Sequence, residues 1–302
     1  MAQDELVSVV IATRDRPEML RAAIAAVRDQ TYGGPVEILV VFDQTPPDPS
    51  LEASSGDRRV HVLENLERTP GLAGARNTGI LAARGEFVAF CDDDDLWLPE
   101  KLERQISRIG TALTSVTGID IEYGDHRARR IPDADTFTMQ NLIRDRLMEA
   151  HPSTVLIRRS ALLGPIGLVD EDLPKSYAED FDFIIRALQA GDVSIVEESL
   201  VIVRWGQSMF SRDWGTIVAA VDYLIDKHEV IREDRRALAR LYGRRGFANA
   251  ALGNRREALR DAVRAAQNWP LEKRILVTVP VACGFVSATT MLDAAHRRGR
   301  GI

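Results

Sequence analysis

Four consecutive aspartates, Asp92–Asp95, directly follow the strand-like run Glu86–Phe90. Adjacent negative charges repel one another, and aspartate is unfavourable in strands. Divalent cations such as Mg²⁺ or Mn²⁺ prefer oxygen ligands, and Mg²⁺ commonly binds one or two carboxylates together with phosphate oxygens. On an extended chain Asp92 and Asp94 would point the same way, which predicts a site for a metal–diphosphate group. The alternative is a solvated acidic loop in which Asp95 caps the next helix, but the apolar strand before the cluster favours the metal interpretation.

A second acidic segment, AEDFDF, begins a predicted helix over residues 178–190. A carboxylate within hydrogen-bond reach of a hydroxyl group can accept its proton, so Glu179 and Asp180 are candidates for acid–base chemistry. The alternative is that both are first-turn residues stabilised by the helix dipole. The presence of a metal-type cluster in the same chain favours the catalytic interpretation, and Asp182 is expected to be structural.

Three aromatic or imidazole side chains are further candidates. His151 precedes a predicted strand over residues 155–157 and is equally consistent with a structural role and with a place beside an acceptor. Trp97 and Trp205 could each stack on the face of a sugar. We expect Trp97 to lie in the core, and His151 and Trp205 remain the acceptor-site candidates.

These residues need elements that bring them together, and the first half of the chain alternates strands with helices. Predicted strands cover residues 7–12, 36–42, 60–63 and 86–90, and predicted helices cover residues 18–30 and 71–84. This alternation predicts βαβ units around a parallel sheet, which is an α/β fold. Because ligands of open α/β sheets bind beyond the carboxyl ends of the strands, Thr13, Arg14 and Asp43 are expected near the aspartates.

Four segments carry a family resemblance: SVVIATRDRP, EILVVFDQT, GLAGARNTGILAARGEFVAFCDDDDLW and YAEDFDFIIRAL. In this order they resemble the family 2 glycosyltransferases of the GT-A fold, over residues 7–211. The resemblance implies a Rossmann-like, mostly parallel sheet and transfer of a sugar from a nucleotide-diphosphate donor to an acceptor hydroxyl, with Mn²⁺ or Mg²⁺ as cofactor. One base on one face of the sugar implies inversion at C1. We expect a GT-A domain over residues 1–215 and a helical C-terminal region over residues 216–302.

The resemblance also implies roles for the acidic residues. Asp94 would bind the metal, and Asp92 would approach the ribose or the metal shell. Asp93 would be secondary, on the donor side. Asp180 matches the catalytic base of the family, and Glu179 would orient or bind the acceptor.

The other implied donor-binding residues lie at the strand ends and on the second helix. Thr13 and Arg14 would line the nucleotide, Asp43 would face the base, and Arg76 would reach the nucleotide or its phosphates, a task that suits a guanidinium. Two positions depart from the family pattern. Phe42 stands where the family commonly has a first acidic residue, which leaves base recognition open. Gly206 stands where it often has a metal-binding histidine, which leaves the ligand set open.

The chain after residue 216 is rich in Ala, Arg and Leu and is predicted to be helical. A single tetratricopeptide-like hairpin is indicated by the spacing of small residues and a closing proline, at Tyr242, Gly246, Gly253, Ala258, Ala265 and Pro270. The uncharged run 275–292, flanked by basic residues, has the length of a short spanning segment, about 17–25 residues. A helix packed on the protein, a peripheral membrane contact and a spanning helix therefore all remain open, in decreasing order of preference.

Composition limits the remaining possibilities. The 302 residues carry a net charge of −6, which argues against a nucleic-acid partner. Two distant cysteines and an N-terminus without a signal-peptide pattern favour a cytoplasmic protein, with the inner face of a membrane left open. The acceptor class (a glycan, a lipid-linked saccharide or a small molecule) and a homo-oligomeric state are also open.

Three alternative functions fit the sequence less well than glycosyl transfer. A sugar nucleotidyltransferase needs a glycine-rich loop after the first strand, and ATRDRPEM has no glycine. An aspartyl-phosphate phosphatase needs two aspartates there, where only Asp15 is found. A non-catalytic scaffold of the same fold is disfavoured because Asp94 and Asp180 are both present.

Overall fold

The structure of the protein is a computed structural model. It describes residues 5–53, 56–124, 126–145, 147, 149–204 and 213–291. The chain divides into two compact units. The sheet unit comprises Met1–Met139, Leu147–Asp172 and Ala178–Gly206, and the helical unit comprises Gln140–Arg146, Leu173–Tyr177 and Gln207–Ile302.

Strands and helices alternate through most of the sheet unit. The strands are β1 (Val7–Thr13), β2 (Val36–Phe42), β3 (Arg58–Glu64), β4 (Phe87–Phe90), β5 (Leu96–Trp97), β6 (Thr114–Tyr123), β7 (His126–Arg130), β8 (Leu156–Arg158) and β9 (Val193–Arg204). The helices of the described residues, over both units, are α1 (Pro17–Arg28), α2 (Leu72–Ala82), α3 (Lys101–Arg108), α4 (Met139–Arg144), α5 (Arg159–Leu162), α6 (Glu179–Ala190), α7 (Trp214–Lys227), α8 (Glu229–Glu233), α9 (Arg235–Ala251), α10 (Arg255–Asn268) and α11 (Ile275–Ala282).

The nine strands found in the described part of the chain form one mixed sheet in the order β3-β2-β1-β4-β8-β6-β9-β5, with β7 paired to β6. Strands β1 to β4 are parallel to one another, and antiparallel pairs appear from β8 onward. Every residue of β2 is buried and β1 is nearly so, as expected for parallel strands covered on both faces. The predicted α/β class with a mostly parallel sheet is confirmed.

The hairpin of β6 and β7 is absent from the sequence-based prediction. The reason lies in β6, where Thr114, Ser115 and Thr117 are fully buried. Polar residues at buried positions remove the apolar periodicity by which a strand is predicted. The first half of strand β9 likewise mixes apolar with polar residues, so its full length is not apparent from the sequence.

Helix α2, which carries Arg76, lies directly against β1. A Cβ atom on Gly79 would come within 2.4 Å of Val10 Cγ1. The neighbouring Asn77 side chain is buried and holds the chain at Val169 from both sides: its Nδ2 donates to the carbonyl of Val169 at 2.8 Å, and its Oδ1 accepts from the amide of Val169 at 2.9 Å. The sheet and a distant loop therefore fix the position of this helix together.

Replacing Gly79 by alanine should destabilise the protein by about 1–3 kcal/mol, because the added methyl group overpacks the contact with Val10. Chemical denaturation measures the change. Gly33→Ala is the matched control, since a Cβ at Gly33 meets no atom within 4 Å and should change the free energy of unfolding by less than about 0.5 kcal/mol. Equal stability of the two variants would contradict the close approach of α2 to β1.

The helical unit has a small core of its own. Phe247 packs edge-to-face on Trp214, with ring centroids 5.6 Å apart, and Ala258 and Val281 are buried beside Phe247. Helices α9 and α10 are joined by a short turn in which Gly253 has a positive φ of 81°. Ala258 and Ala265 are fully buried; the tetratricopeptide-like assignment itself stays a prediction.

The uncharged run 275–292 does not form one continuous helix. Helix α11 ends at Ala282, and Gly284 follows with a positive φ of 80°. Within the described ranges, none of the helices combines the length and the apolar character that crossing a bilayer requires.

Candidate active site

The aspartate segment after β4 folds back as a turn. The amide of Asp95 donates to the carbonyl of Asp92 at 3.1 Å, so the expectation of an extended chain with Asp92 and Asp94 pointing the same way is wrong. The turn forms because the Asp95 carboxylate is drawn inward, where it accepts a 2.5 Å hydrogen bond from Ser153 Oγ. The helix-cap alternative for Asp95 is also wrong, since α3 begins at Lys101 with Glu100 at its N-cap.

Asp93 and Asp94 face the loop after β1. Thr13 Oγ1 donates to Asp93 at 2.8 Å. Arg16 Nη1 donates to Asp93 at 3.1 Å and to Asp94 at 2.6 Å. Arg14, which was expected to line the nucleotide, has a half-exposed side chain. Its Nε lies 3.9 Å from Oδ2 of the neighbouring Asp15.

Arg16 was missed by the sequence reasoning, and the physical reason is local. Asp15 adopts a left-handed conformation with φ 55°, which reorients the chain between the two arginines of the TRDRP segment. Nothing in the residue types separates Arg14 from Arg16, so only the backbone conformation decides which guanidinium meets the aspartates.

Asp92 joins a buried ion-pair chain with the second acidic segment. Arg76 Nη2 donates to Asp92 Oδ1 at 2.5 Å, and Arg76 Nη1 donates to Glu179 Oε1 at 2.5 Å. The Arg76 side chain is 3% exposed. The structure therefore brings Arg76, Asp92 and Glu179 together, although Glu179 lies 103 residues from Arg76 in sequence.

Asp180 follows Glu179 in the first turn of α6. Its Oδ1 accepts from the amide of Phe181 at 2.8 Å, and it lines a narrow cleft with Arg76, Glu179, Phe90 and Pro152. The residue before Glu179 is Ala178, which adopts a left-handed conformation at φ 62° and ψ 30°. A non-glycine residue in this region costs about 1–3 kcal/mol, so surrounding contacts hold the start of α6 in place.

His151 lies beside the aspartate turn. Its Nδ1 is 3.5 Å from Asp95 Oδ2, and ligand atoms of Asp92, Asp95 and His151 all lie within 4.8 Å of one another. Ser153 ties this group together, because its Oγ accepts from the amide of Asp92 at 2.9 Å and donates to Asp95. Carboxylate oxygens with one imidazole nitrogen form a donor set that suits a divalent cation such as Mn²⁺, so the residues present fit a metal.

Burial and mutual repulsion shift the titration of these acids. Burial, with added repulsion from Asp92, raises the pKa of Asp93 and of Asp94 above the ordinary value, while Arg16 opposes the rise. Burial also raises the pKa of Asp95 well above its ordinary value. Burial raises the pKa of Glu179 to about 7, with Asp180 and Asp92 acting in the same direction and Arg76 opposing. A cation among these groups would favour their ionised forms.

Asp43 is buried and its oxygens are engaged by its own neighbourhood. Oδ1 accepts from Asn65 Nδ2 at 2.9 Å and from the amide of Gly71 at 3.0 Å, and Oδ2 accepts from Gln44 Nε2 at 2.7 Å. Gly71 is the N-cap residue of α2, so Asp43 holds the loop before that helix. Its role in facing a nucleotide base stays a prediction, and Asn65 is a further polar residue of this region that no sequence signal singled out.

Several remaining expectations concern side chains away from the turn. Trp97 is 3% exposed and lies in the core as predicted, with the buried Lys101 Nζ 4.0 Å from its ring centroid. Asp182 is fully buried and forms a 2.8 Å ion pair with Arg186, in agreement with the expected structural role. Trp205 and Gly206 lie outside the described residues.

Comparison with known proteins places this geometry in a family. The profile described as Glycosyl transferase family 2 matches residues 8–163. One relative, from Escherichia coli, is described as UDP-Glc:alpha-D-GlcNAc-diphosphoundecaprenol beta-1,3-glucosyltransferase WfgD. It is 39% identical over 105 residues, which are 34% of this chain and 41% of that protein. The chain thus spans less than half of that relative's length.

Two solved structures share the fold. Residues 1–349 of S. aureus TarS in complex with UDP-GlcNAc give a TM-score of 0.60 at 17% identity, over 97% of this chain and 92% of that one. The mannosyltransferase PcManGT from Pyrobaculum calidifontis, in complex with GDP-Man and Mn²⁺, gives a TM-score of 0.55 at 16% identity, over 95% of this chain and 83% of that one. At these identities the likeness concerns the fold, and it confirms the expected GT-A architecture.

Proposed function

The chain belongs to glycosyl transferase family 2, and from this premise we propose that it transfers a sugar from a nucleotide-diphosphate donor to an acceptor hydroxyl with inversion. The observation that carries the proposal is the buried contact of Arg76 with both Asp92 and Glu179. It joins a carboxylate of the donor-type aspartate turn to the acidic pair that contains the candidate base. Both halves of a glycosyl-transfer site thus belong to one connected cluster.

In the proposed reaction Asp180 accepts the proton of the acceptor hydroxyl. The hydroxyl oxygen forms a bond to C1 of the sugar as the bond from C1 to the diphosphate oxygen breaks, and the diphosphate leaves with that electron pair. A single displacement of this kind inverts C1. Glu179, held by Arg76, orients the acceptor beside Asp180.

We propose Asp94 and Asp92 as metal ligands, with Mn²⁺ or Mg²⁺ as the ion. A bound divalent cation would supply positive charge to the leaving diphosphate. Asp95 and His151 form the alternative partners of Asp92, since their ligand atoms lie beside it. Arg16 pairs with Asp94 at 2.6 Å and is a further countercharge of the turn.

Donor binding is proposed for Thr13, Arg14, Asp43, Arg76 and Asp93. Thr13 supports this through its hydrogen bond to Asp93, which couples the loop after β1 to the aspartate turn. The solvent-facing guanidinium of Arg14 is suited to a phosphate or to a ribose edge. Arg16 is added to this set as a cation already directed at the turn.

The acceptor is proposed to be a glycan or a lipid-linked saccharide, with His151 and Trp205 on the acceptor side. The name of the Escherichia coli relative describes transfer to a sugar on diphosphoundecaprenol, which supports the lipid-linked class over a small molecule. A cytoplasmic protein working at the inner face of a membrane would meet such an acceptor.

A donor screen tests the proposed function. Thermal shifts are measured with UDP-, GDP-, dTDP- and CDP-sugars, each with and without Mn²⁺. A ligand that binds only the folded protein stabilises it by about 2.7 kcal/mol at a concentration of 100 Kd, so one nucleotide class should raise the melting temperature clearly above the others. The absence of any shift with all four classes would refute the proposal.

A peripheral membrane contact is also proposed, through an apolar patch on the helical unit. The patch consists of Leu271, Leu276, Val279 and Phe285, of which Leu276 is 75% and Phe285 is 82% exposed. Several large apolar side chains exposed within one short segment of the chain support an interaction surface there. Lys273 is exposed within the same stretch, and basic residues beside an apolar helix face suit anionic lipid headgroups.

Replacing Leu276 and Phe285 together by serine should lower binding to phosphatidylglycerol vesicles about tenfold or more, because each inserted side chain contributes about 1.5–3 kcal/mol. Vesicle co-sedimentation measures the binding. Leu66→Ser is the matched control, because Leu66 is equally exposed at 75% but lies in the sheet unit. If the double variant and the control bind vesicles alike, the patch is not a membrane surface.

A further inference from the structure

We propose that Arg76 is a shared countercharge that links the donor side of the site to the acid–base side. The proposal rests on the proposed function for the identity of the two sides, but the link itself is a property of three side chains. Arg76 contacts Asp92 and Glu179 at 2.5 Å each. One positive charge therefore neutralises two carboxylates, and whatever alters one of these contacts must alter the other.

The surroundings of Arg76 hold its guanidinium group between Asp92 and Glu179. Its side chain is 3% exposed, and its guanidinium carbon lies 5.4 Å from the ring centroid of Phe90. Phe90 is in turn packed edge-to-face on Phe183 of α6, with centroids 5.8 Å apart. An aromatic face favours the cation where it is, so the guanidinium stays between its two partners.

The two partners differ in access to solvent. The Asp92 side chain is 23% exposed and the Glu179 side chain is 9% exposed. A cation arriving from solvent can therefore approach Asp92, while Glu179 depends on Arg76. When a cation takes over part of the Asp92 charge, the hold of Arg76 on Glu179 strengthens, which orients Glu179 for the acceptor. Arg76 is in this sense a positioning residue.

The link is reciprocal, because coupling between two sites acts equally in both directions. When Glu179 is neutralised, Arg76 pairs with Asp92 alone, and Asp92 then binds a cation less well. Removing the charge of Arg76 frees Asp92, which makes it a better one. The two changes should therefore affect cation affinity with opposite signs, an outcome that a purely structural role of either residue would not produce.

The first test measures Mn²⁺ binding to the full chain by titration calorimetry, without any transfer assay. Glu179→Gln should weaken Mn²⁺ binding about fivefold or more, and Arg76→Met should strengthen it. In the Arg76→Met background the effect of Glu179→Gln should disappear. If Glu179→Gln still weakens Mn²⁺ binding in the Arg76→Met background, Glu179 acts on the cation directly through space and not through Arg76. That result would overturn the proposal.

The matched control for this titration is Glu171→Gln. Like Glu179, Glu171 is a carboxylate that contacts a side chain of α2, since it accepts from Asn77 at 2.6 Å. Its other contacts are to Arg68 and Thr69. It should leave Mn²⁺ affinity unchanged in either background. If the methionine variant does not fold, Arg76→Lys replaces it as the background for the comparison. Because lysine keeps the positive charge, Glu179→Gln should still weaken Mn²⁺ binding in that background, at least in part.

A second test needs no metal and keeps the link falsifiable even if the wild-type chain binds no Mn²⁺. Asp92→Asn and Glu179→Gln each leave Arg76 one charged partner, so each alone should lower the melting temperature only slightly. Their combination removes both ion pairs of the buried guanidinium, which is costly. The melting temperature of the double variant should therefore fall by clearly more than the sum of the two single decreases. The control is Asp92→Asn combined with Glu171→Gln, for which the decreases in melting temperature should be additive. Additive decreases for Asp92→Asn combined with Glu179→Gln would show that the two carboxylates do not share Arg76.

Discussion

Replacing Asp180 by asparagine should lower kcat by about 10²–10⁴, the usual contribution of general acid–base catalysis, while the affinity for the donor changes little. The amide has nearly the same shape as the carboxylate, so the cleft that Asp180 lines with Arg76 and Glu179 should be preserved. The amide cannot accept a proton near neutral pH. Single-turnover rates with an identified acceptor, together with calorimetric donor binding, measure the two quantities separately.

Two controls separate chemistry from helix stability, because Asp180 lies in the first turn of α6. Asp182→Asn alters the same turn but removes the ion pair to Arg186, so it should lower stability while leaving kcat largely intact. Glu179→Gln should cost less than Asp180→Asn and mainly raise the acceptor KM. If Asp180→Asn turns over like the wild type and Glu179→Gln is inactive, the two roles must be exchanged.

Replacing Asp92 or Asp94 by alanine should each weaken Mn²⁺-dependent UDP binding by at least about tenfold, since even residues behind the metal ligands commonly contribute 10–100-fold. In the Asp94 variant Arg16 keeps Asp93 as a partner, so the loop after β1 should remain in place. Calorimetry with UDP, in the presence and absence of Mn²⁺, measures the effect. Unchanged binding of UDP and Mn²⁺ by both variants would remove the aspartate turn from the metal site.

His151→Gln decides between the two ligand sets. A similar loss of Mn²⁺ affinity would place the imidazole in the coordination shell with Asp92 and Asp95, whose ligand atoms lie within 4.8 Å of it. Unchanged affinity would leave the metal to Asp92 and Asp94. This arrangement matters because Gly206 occupies the place where the family often has a histidine.

The same metal site should depend on pH in a definite direction. Burial raises the pKa of Asp94, a proposed metal ligand, above the ordinary value for aspartate, which is about 3.9. A carboxyl group must lose its proton to bind a cation, so Mn²⁺ affinity should fall as the pH is lowered, and it should begin to fall at a higher pH than ordinary aspartates would cause. Proton release on binding, measured in buffers of different ionisation enthalpy, checks the sign.

The sequence by itself determined the elements whose signals are local. The apolar run of β2 ends at Phe42 in the structure as in the prediction, and α1 buries Leu20, Ile24 and Val27 along one face as its periodicity indicates. Such patterns depend only on residues a few positions apart. The placing of polar groups after strand ends follows from the alternation of strands and helices, because parallel strands share one carboxyl edge.

Only the tertiary structure decided which charged groups meet. Ser153 reaches Asp95 across 58 residues and Glu179 reaches Arg76 across 103, and no local pattern encodes such pairs. The choice of Arg16 over Arg14 depends on one left-handed residue, Asp15. The conformation of the aspartate segment was also set from outside, because a buried carboxylate must find donors. Asp95 finds one in the hydroxyl group of Ser153, and the chain turns to reach it.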